Sequence, residues 1–309
     1  MSKNVLVIGS INVDYVIYTD RVPTLGETVT GRDFSMNFGG KGANQAVAIA
    51  KAGCNVRMLG AVGADTAGKL ALKNLTSFGI DCAAVRTVDA PTGAAVITVC
   101  KGDNHIILDE GANAHVTPDV IRASEALFDW ADVLVMQYEI PIDSVTVAAT
   151  LAKRHGVRVI LNPAPVKRVD DQLYHLIDII VPNEFEAELI TGIFPGDEAS
   201  IPRSVQALLQ KGCRDAIVTL GGRGCAYTDK ETVRRFGVYP VKAVDTTAAG
   251  DSFIGGLCAK LCQGKPIEEA VAYASATSAL TVSRPGAACS IPAAVEVKEF
   301  LKHNTPTKG

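Results

Sequence analysis

Short runs rich in β-branched and aliphatic residues recur along the chain, at 5–8, 55–59, 133–137, 158–162, 177–181 and 216–220. Brief apolar runs of this kind are what strands covered on both faces look like. Between them, residues 41–52, 69–75, 144–155, 184–191 and 202–211 read as helices. The alternation predicts an α/β fold with a central, mainly parallel sheet and helices on both faces. Ligands of such sheets gather beyond the carboxyl ends of the strands, so the residues that follow each strand are the candidates for chemistry.

Residues 14–32 and 92–108 depart from that rhythm and carry a period-2 pattern instead. In the second, Ala95-Val96-Ile97-Thr98-Val99 and His105-Ile106-Ile107-Leu108 flank a Lys101-Gly102-Asp103-Asn104 turn, which predicts a hairpin. The two stretches, about 14–36 and 92–109, are expected to form a small separate sheet, either a lid over the site or a peripheral decoration. No Pro- or Ser-rich linker and no internal repeat divides the chain, so residues 1–309 are expected to share one continuous core.

Composition narrows the class of partner. The 309 residues are 48% hydrophobic and 20% charged, and a net charge of -3 comes from interspersed residues without a basic run. The electrostatic footprint of a nucleic-acid or membrane-surface binder is missing, so the expected partner is a small molecule, with no nucleic acid and no membrane. Eight cysteines stand without a CxxC pair and the five histidines do not cluster near them. That pattern suggests neither zinc nor disulfides, and the thiols read as reduced and mostly buried. The chain passes from Met1-Ser2-Lys3-Asn4 directly into a strand-like run too short for a signal peptide. No apolar run reaches membrane-spanning length, and the expected location is cytoplasmic.

The densest chemical signal is Val244-Asp245-Thr246-Thr247-Ala248-Ala249-Gly250-Asp251-Ser252-Phe253, followed by an apolar, small-residue stretch at 254–261. Small residues ending at Gly250 let backbone approach a ligand, and a helix starting there points N–H groups and its positive dipole end at an anion. Asp251, in the first turn of that helix, either caps it or accepts a proton from an attacking hydroxyl. A second segment, Asn37-Phe38-Gly39-Gly40-Lys41-Gly42-Ala43-Asn44-Gln45-Ala46, places glycines, a Lys and an Asn at a helix start. It suits a sugar or a phosphate, or is a plain helix start. Gly-x-x-x-x-Gly-Lys-Ser/Thr is absent throughout, so it is not a Walker A loop.

Weaker candidates follow other strands. Asn12 and Asp14 can hold vicinal hydroxyls or simply form a turn, and Glu139 is a similar case. Asn183 to Glu186 and the glycine turn Gly221-Gly222-Arg223-Gly224 each follow a strand, the latter without a full GxGxxG. Polar or glycine-rich residues end nearly every expected strand, and that convergence at one sheet edge favours a site.

With Gly39–Ala46 as one signature and Asp245–Asp251 as another, joined by Asn162-Pro163-Ala164-Pro165, Pro182-Asn183-Glu184 and Thr219-Leu220-Gly221 between them, the chain resembles the ribokinase-like family of carbohydrate kinases over essentially its whole length. The resemblance implies a ribokinase-like catalytic domain that phosphorylates the 5-hydroxyl of D-ribose with ATP. It implies sugar contacts from Asn12, Asp14, Gly39, Gly40, Lys41, Asn44 and Glu139, with Asp251 as base and Ala248, Ala249 and Gly250 as an anion hole. Asn183 and Glu186 would organise phosphate and magnesium, while Thr219, Gly221, Gly222, Gly224 and Ser275 would line the ATP site. A potassium site would be built by Asp245, Thr247, Thr281, Arg284, Gly286 and Ser290, partly through carbonyl oxygens. A homodimer through the lid sheet is also implied.

The other readings are a kinase for 2-deoxyribose, fructose or a nucleoside such as adenosine, a Rossmann-type oxidoreductase, and a non-catalytic sugar sensor. Gly9-Ser10-Ile11-Asn12 lacks the glycine fingerprint that pyrophosphate needs, which counts against the oxidoreductase. An intact Asp251 and Gly250 count against the sensor.

Overall fold

The computed structural model describes residues 4–101, 103–229 and 232–309. Gly102, in the expected hairpin turn, lies outside the described residues. The chain opens with β1 (Asn4–Ile8), β2 (Asn12–Thr19), β3 (Arg32–Gly39), α1 (Lys41–Lys51), β4 (Asn55–Leu59), β5 (Ala61–Gly63), α2 (Thr66–Ser77), β6 (Arg86–Val88), β7 (Gly93–Cys100) and β8 (Asp103–Asp109). After a 3-10 turn at Gly111–His115 come α3 (Pro118–Ala123), α4 (Ala126–Trp130), β9 (Val133–Met136), α5 (Ile142–Arg154), β10 (Arg158–Leu161) and β11 (Ile179–Ile180). Then follow α6 (Glu184–Thr191), α7 (Ser200–Gln210), β12 (Asp215–Thr219), β13 (Cys225–Asp229), β14 (Thr232–Phe236), α8 (Ala249–Cys262), α9 (Ile267–Val282) and α10 (Ala294–His303).

The large sheet has the order β14-β13-β12-β11-β10-β9-β1-β4. Its pairings are parallel from β4 to β12, and β13 and β14 close the edge as an antiparallel hairpin. Consecutive apolar residues make sense here because each strand feeds two cores. Leu6, Ile8, Leu134, Met136, Val159 and Leu161 join the cluster that includes α5 and α7. Val5, Val7, Val133, Val135 and Ile160 join the opposite one, with α1, α8 and α9. A strand side chain buried this way contributes roughly 1.5–3 kcal/mol, so a period-2 strand that buries both faces needs apolar residues at every position.

The expected small sheet forms with the order β3-β2-β7-β8, in which β2 pairs parallel to β7. Residues 20–31, inside the first of the two period-2 stretches, form no strand. The run at 177–181 keeps only two strand residues, and α2 starts three residues before the expected 69 because Asp65 caps it, accepting from the Gly68 N–H at 2.7 Å. The helix at 184–191 has its expected bounds. The hairpin of β13 and β14, and α9 and α10, carried no separate expectation.

The small-residue stretch of α8 has a packing cause. A Cβ added at Gly255 would stand 2.3 Å from the Ala48 Cβ of α1, so the two helices touch backbone to backbone only because a side chain is missing. All eight cysteines are free; five are buried, Cys54 and Cys82 are half-buried, and Cys289 is exposed. Among the described residues no helix is long and apolar enough to cross a membrane.

Candidate active site

α1 starts where it does because Gly40 caps it in the left-handed region, at φ 87°, with an added Cβ only 2.8 Å from the Asn12 nitrogen. Glu139, three residues beyond β9, anchors the turn. Its Oε2 accepts from the Ser10 hydroxyl and, at 3.0 Å, from the Lys41 N–H. Ser10 completes the anchor by accepting from the Gly42 N–H at its hydroxyl and from the Ala43 N–H at its carbonyl. Glu139, expected to touch the sugar, therefore commits one oxygen to holding the turn.

Asn12 and Asp14 lie on β2, paired with Gly39 and Asn37 of β3. Asn12 Oδ1 accepts from Asn113 Nδ2 at 2.7 Å, which orients the amide and leaves its nitrogen to donate elsewhere. Asn113 is itself fixed by the Ile11 N–H at 2.9 Å. The Asp14 carboxyl packs against Gly39. Burial, reinforced by Glu139 and then Asp251, pushes its pKa up to about 6.

α8 is entered through Ala248 in the left-handed conformation (φ 59°, ψ 12°), a strain of about 1–2 kcal/mol for a residue with a Cβ. Asp251 sits in the first turn, buried, and both its oxygens meet α1. Oδ2 accepts from Asn44 Nδ2 at 3.2 Å and Oδ1 from Gln45 Nε2 at 3.0 Å. Residue 251 and the 39–44 turn thus come together although about two hundred residues separate them. Asn44 Oδ1 is buried without a partner among the described residues, an acceptor left free. Burial pulls the Lys41 ammonium pKa down, but Asp251, Glu139 and Glu186 outweigh it and hold it above the ordinary lysine value.

A cavity of 630 Å³ has Asp251 in its wall. Lys41, Ala248, Ala249, Gly250 and Asp251 line it together with Asn183, Glu186, Thr219, Gly221, Gly222, Gly224 and Ser275. Every residue expected on the nucleotide side is therefore a wall of one cavity, whose size is that of a small-molecule site. Of the expected anion-hole residues, Ala249 spends its N–H on the Thr246 carbonyl at 3.2 Å. Asn12, Gly39 and Asn44 line a separate, smaller recess.

Asn183 and Glu186 form a capping box at the start of α6: Asn183 Oδ1 accepts from the Glu186 N–H and Glu186 Oε2 from the Asn183 N–H, both at 2.8 Å. Burial raises the Glu186 pKa against the pull of the Asn183 N–H and Lys41. A partly desolvated carboxylate whose other oxygen takes no side-chain or backbone hydrogen bond among the described residues fits a divalent cation.

Asp245 ties this region to the 285–290 loop. Its Oδ1 accepts from the Thr247 N–H and hydroxyl, and its Oδ2 from the Gly286 N–H at 2.9 Å. Burial opposes ionisation there, but these donors hold the carboxyl below its ordinary value. The side chains of Thr281 and Ser290 donate to the Thr277 and Ala287 carbonyls, and Arg284 turns to Glu296. A cation here would meet one ionised carboxylate and backbone oxygens, which fits a weakly bound monovalent ion; among the described residues no group of three His, Cys, Asp or Glu side chains gathers as metal ligands. Lys51, from the far end of α1, donates to the Ala288 and Ile291 carbonyls at 3.2 and 2.6 Å and braces the same loop.

Ser10, Asn113 and Gln137 had no expected role, and Gln45 and Asn162 entered only within motifs. Their signal was a polar residue in an apolar run, which a sequence cannot pair. The apolar wall of the cavity from Tyr239, Val241 and Val282 carried no signal at all.

A mainly parallel sheet that sets a buried carboxylate in the first turn of a small-residue helix, on the wall of a small-molecule cavity, suits a small-molecule kinase, and the chain belongs to the pfkB family carbohydrate kinases, whose family model matches residues 2–294. Within it, the chain is 42% identical over 305 residues to the ribokinase of Haemophilus influenzae, covering 98% of this chain and 100% of that protein. It is 36% identical over 305 residues to the deoxyribokinase of Salmonella typhi, covering 97% of this chain and 99% of that one. The structure of Arabidopsis thaliana ribokinase complexed with ribose and ATP superimposes with a TM-score of 0.91 at 32% identity, covering 98% of this chain and 99% of that chain.

Proposed function

We propose that the protein transfers the γ-phosphoryl group of ATP to the 5-hydroxyl of D-ribose, giving ribose 5-phosphate and ADP. The observation that carries the reading is Asp251, a buried carboxylate held by two amides of α1 in the wall of a 630 Å³ cavity. Asp251 takes the proton of the sugar hydroxyl as its oxygen forms a bond to phosphorus. The bond from phosphorus to the bridging oxygen breaks, and ADP leaves with the electron pair. Amides at the start of α8, with Lys41 nearby, meet the charge on the transferred group, which is where positioned donors count most.

The sugar is recognised by mixed donors and acceptors: Asp14 accepts, the Asn12 nitrogen donates, and the unpartnered Asn44 Oδ1 accepts. Thr219, Gly221, Gly222, Gly224 and Ser275 accommodate the nucleotide. Glu186, with Asn183, would hold magnesium, and Asp245 with carbonyls of the 285–290 loop would hold potassium; both ions supply positive charge that offsets the phosphates. The small sheet acts as a lid on the sugar side, since β2 and β3 carry Asn12, Asp14 and Gly39. Its exposed Phe34, Val96, Ile106 and Ile107 suit pairing with a second copy of the chain. Eight free thiols suit a reducing, cytoplasmic setting.

Coupled ADP-release assays across ribose, 2-deoxyribose, fructose and adenosine test the substrate, and ribose should give the highest kcat/KM. A higher value for 2-deoxyribose would move the assignment to the Salmonella relative's activity. Asp251→Ala should lower kcat by about a hundredfold to ten-thousandfold while sugar binding persists, and near-normal turnover would remove it as the base.

A further inference from the structure

A chain of buried amides runs behind Asp251. It starts at the Val181 carbonyl, which can only accept, and to which Asn162 donates Nδ2 at 2.9 Å. Asn162 must then present Oδ1 on its other side, where Gln45 Nε2 donates to it at 3.2 Å. The same nitrogen donates to Asp251 Oδ1, so both of its hydrogens are used. Gln45 Oε1 in turn accepts from Gln137 Nε2 at 2.6 Å. One backbone carbonyl thus sets the sense of every amide in the chain. In that sense Gln45 presents an N–H, not an oxygen, to Asp251.

Gln45 and Gln137 are fully buried, and Gln137 Oε1 has no partner among the described residues. That oxygen lies against Gly9, where an added Cβ would come within 2.1 Å of it. A desolvated, unpartnered carbonyl costs stability, and an apolar side chain at position 137 would remove the cost. Its presence is accounted for if the Gln137 N–H is needed on Gln45.

We infer that Gln45 and Gln137 are positioning residues for phosphoryl transfer: Gln45 aims the Asp251 carboxylate, and Gln137 holds Gln45 in its donating orientation. The inference rests on Asp251 being the base. If Gln45 turned over, an amide oxygen would face the carboxylate, acceptor against acceptor, and the carboxylate would shift or retain a proton. The charged groups sharing this site are Asp251, Asp14, Glu139, Lys41 and Glu186.

Two variants of the full chain test this with ATP and ribose, each read by kcat, calorimetric ribose affinity and melting temperature. Gln45→Met should lower kcat by about tenfold to a hundredfold, with ribose affinity changed by less than about threefold. Gln137→Glu gives a signature that packing alone does not produce. Its carboxyl, when protonated, donates to Gln45 and keeps the sense of the chain; when ionised, it demands the Gln45 N–H and reverses it. Buried glutamates titrate as high as about 8–9, so kcat of this variant should fall by about tenfold between pH 6 and pH 9 relative to the parent. A kcat within about twofold of the parent in Gln45→Met, or a pH-independent ratio in Gln137→Glu, overturns the inference, and either variant decides alone if the other fails to fold. Asp251→Asn measured alongside separates the two claims: turnover surviving in it removes the base, whereas turnover lost in it but kept in both amide variants removes only the relay.

Discussion

Asp14→Asn offers a test with opposite signs in the presence and absence of sugar. In the free protein the Asp14 carboxyl is buried near Glu139 and Asp251, and its pKa stands at about 6 against an ordinary 3.8. That rise is worth about 3 kcal/mol of penalty on the ionised form. The folded state holds this proton more tightly than the unfolded chain does. Stability contributed by this group is therefore full below about pH 4, falls as the pH rises from there to about 6, and stays low above. An amide keeps the shape without the charge, so Asp14→Asn should be more stable than the parent by up to about 3 kcal/mol at pH 8, with the advantage shrinking toward pH 4. Sugar binding should respond the other way. Losing a charged acceptor costs about 1.5–3 kcal/mol, a rise of roughly tenfold to a hundredfold in ribose Kd. Urea unfolding at pH 4.5 and pH 8, with ribose calorimetry at pH 8, measures both. A variant no more stable than the parent at pH 8, or equally advantaged at both pH values, would refute the electrostatic reasoning; unchanged ribose affinity would remove Asp14 from the sugar site.

Gly255→Val should displace α8 from α1, because its branched side chain must enter space where a Cβ alone comes within 2.3 Å of Ala48; a loss of about 3 kcal/mol or more in unfolding free energy is expected, along with turnover. On the proposed potassium site, Lys51→Met should raise the potassium concentration for half-maximal activity about fivefold, the value of one net hydrogen bond, because Lys51 braces the Ala288 and Ile291 carbonyls of that loop; an unchanged potassium dependence would contradict this. In the parent, ribose KM should climb as the pH drops below about 6, following protonation of Asp14, and a flat KM from pH 5 to 8 would contradict this.

Local order was legible in the amino-acid sequence wherever the physics is local. The strands at 5–8 and 133–137 could be read because a strand buried on both faces must be apolar at every position. The helix at 184–191 could be read to its ends because Asn183 and Glu186 cap each other three residues apart and Gly192 follows in the left-handed region. The candidate site was legible as pieces: a glycine turn before α1, a cradle before α8, and polar residues at strand ends.

What tertiary structure alone decided is which pieces meet and in what electrical state. Gln45 reaches Asp251 across 206 positions and Gln137 across 92, and nothing near any of the three in the chain encodes the pairing. Glu139 looked like a sugar ligand, and only the fold revealed that one of its oxygens holds the α1 turn through Ser10 and Lys41. The raised pKa of Asp14 is likewise a property of burial beside two carboxylates from distant segments. Periodicity and capping are set by neighbours in the chain, whereas hydrogen-bond sense and desolvation are set by neighbours in space, and those exist only once the sheet has brought its strand ends together.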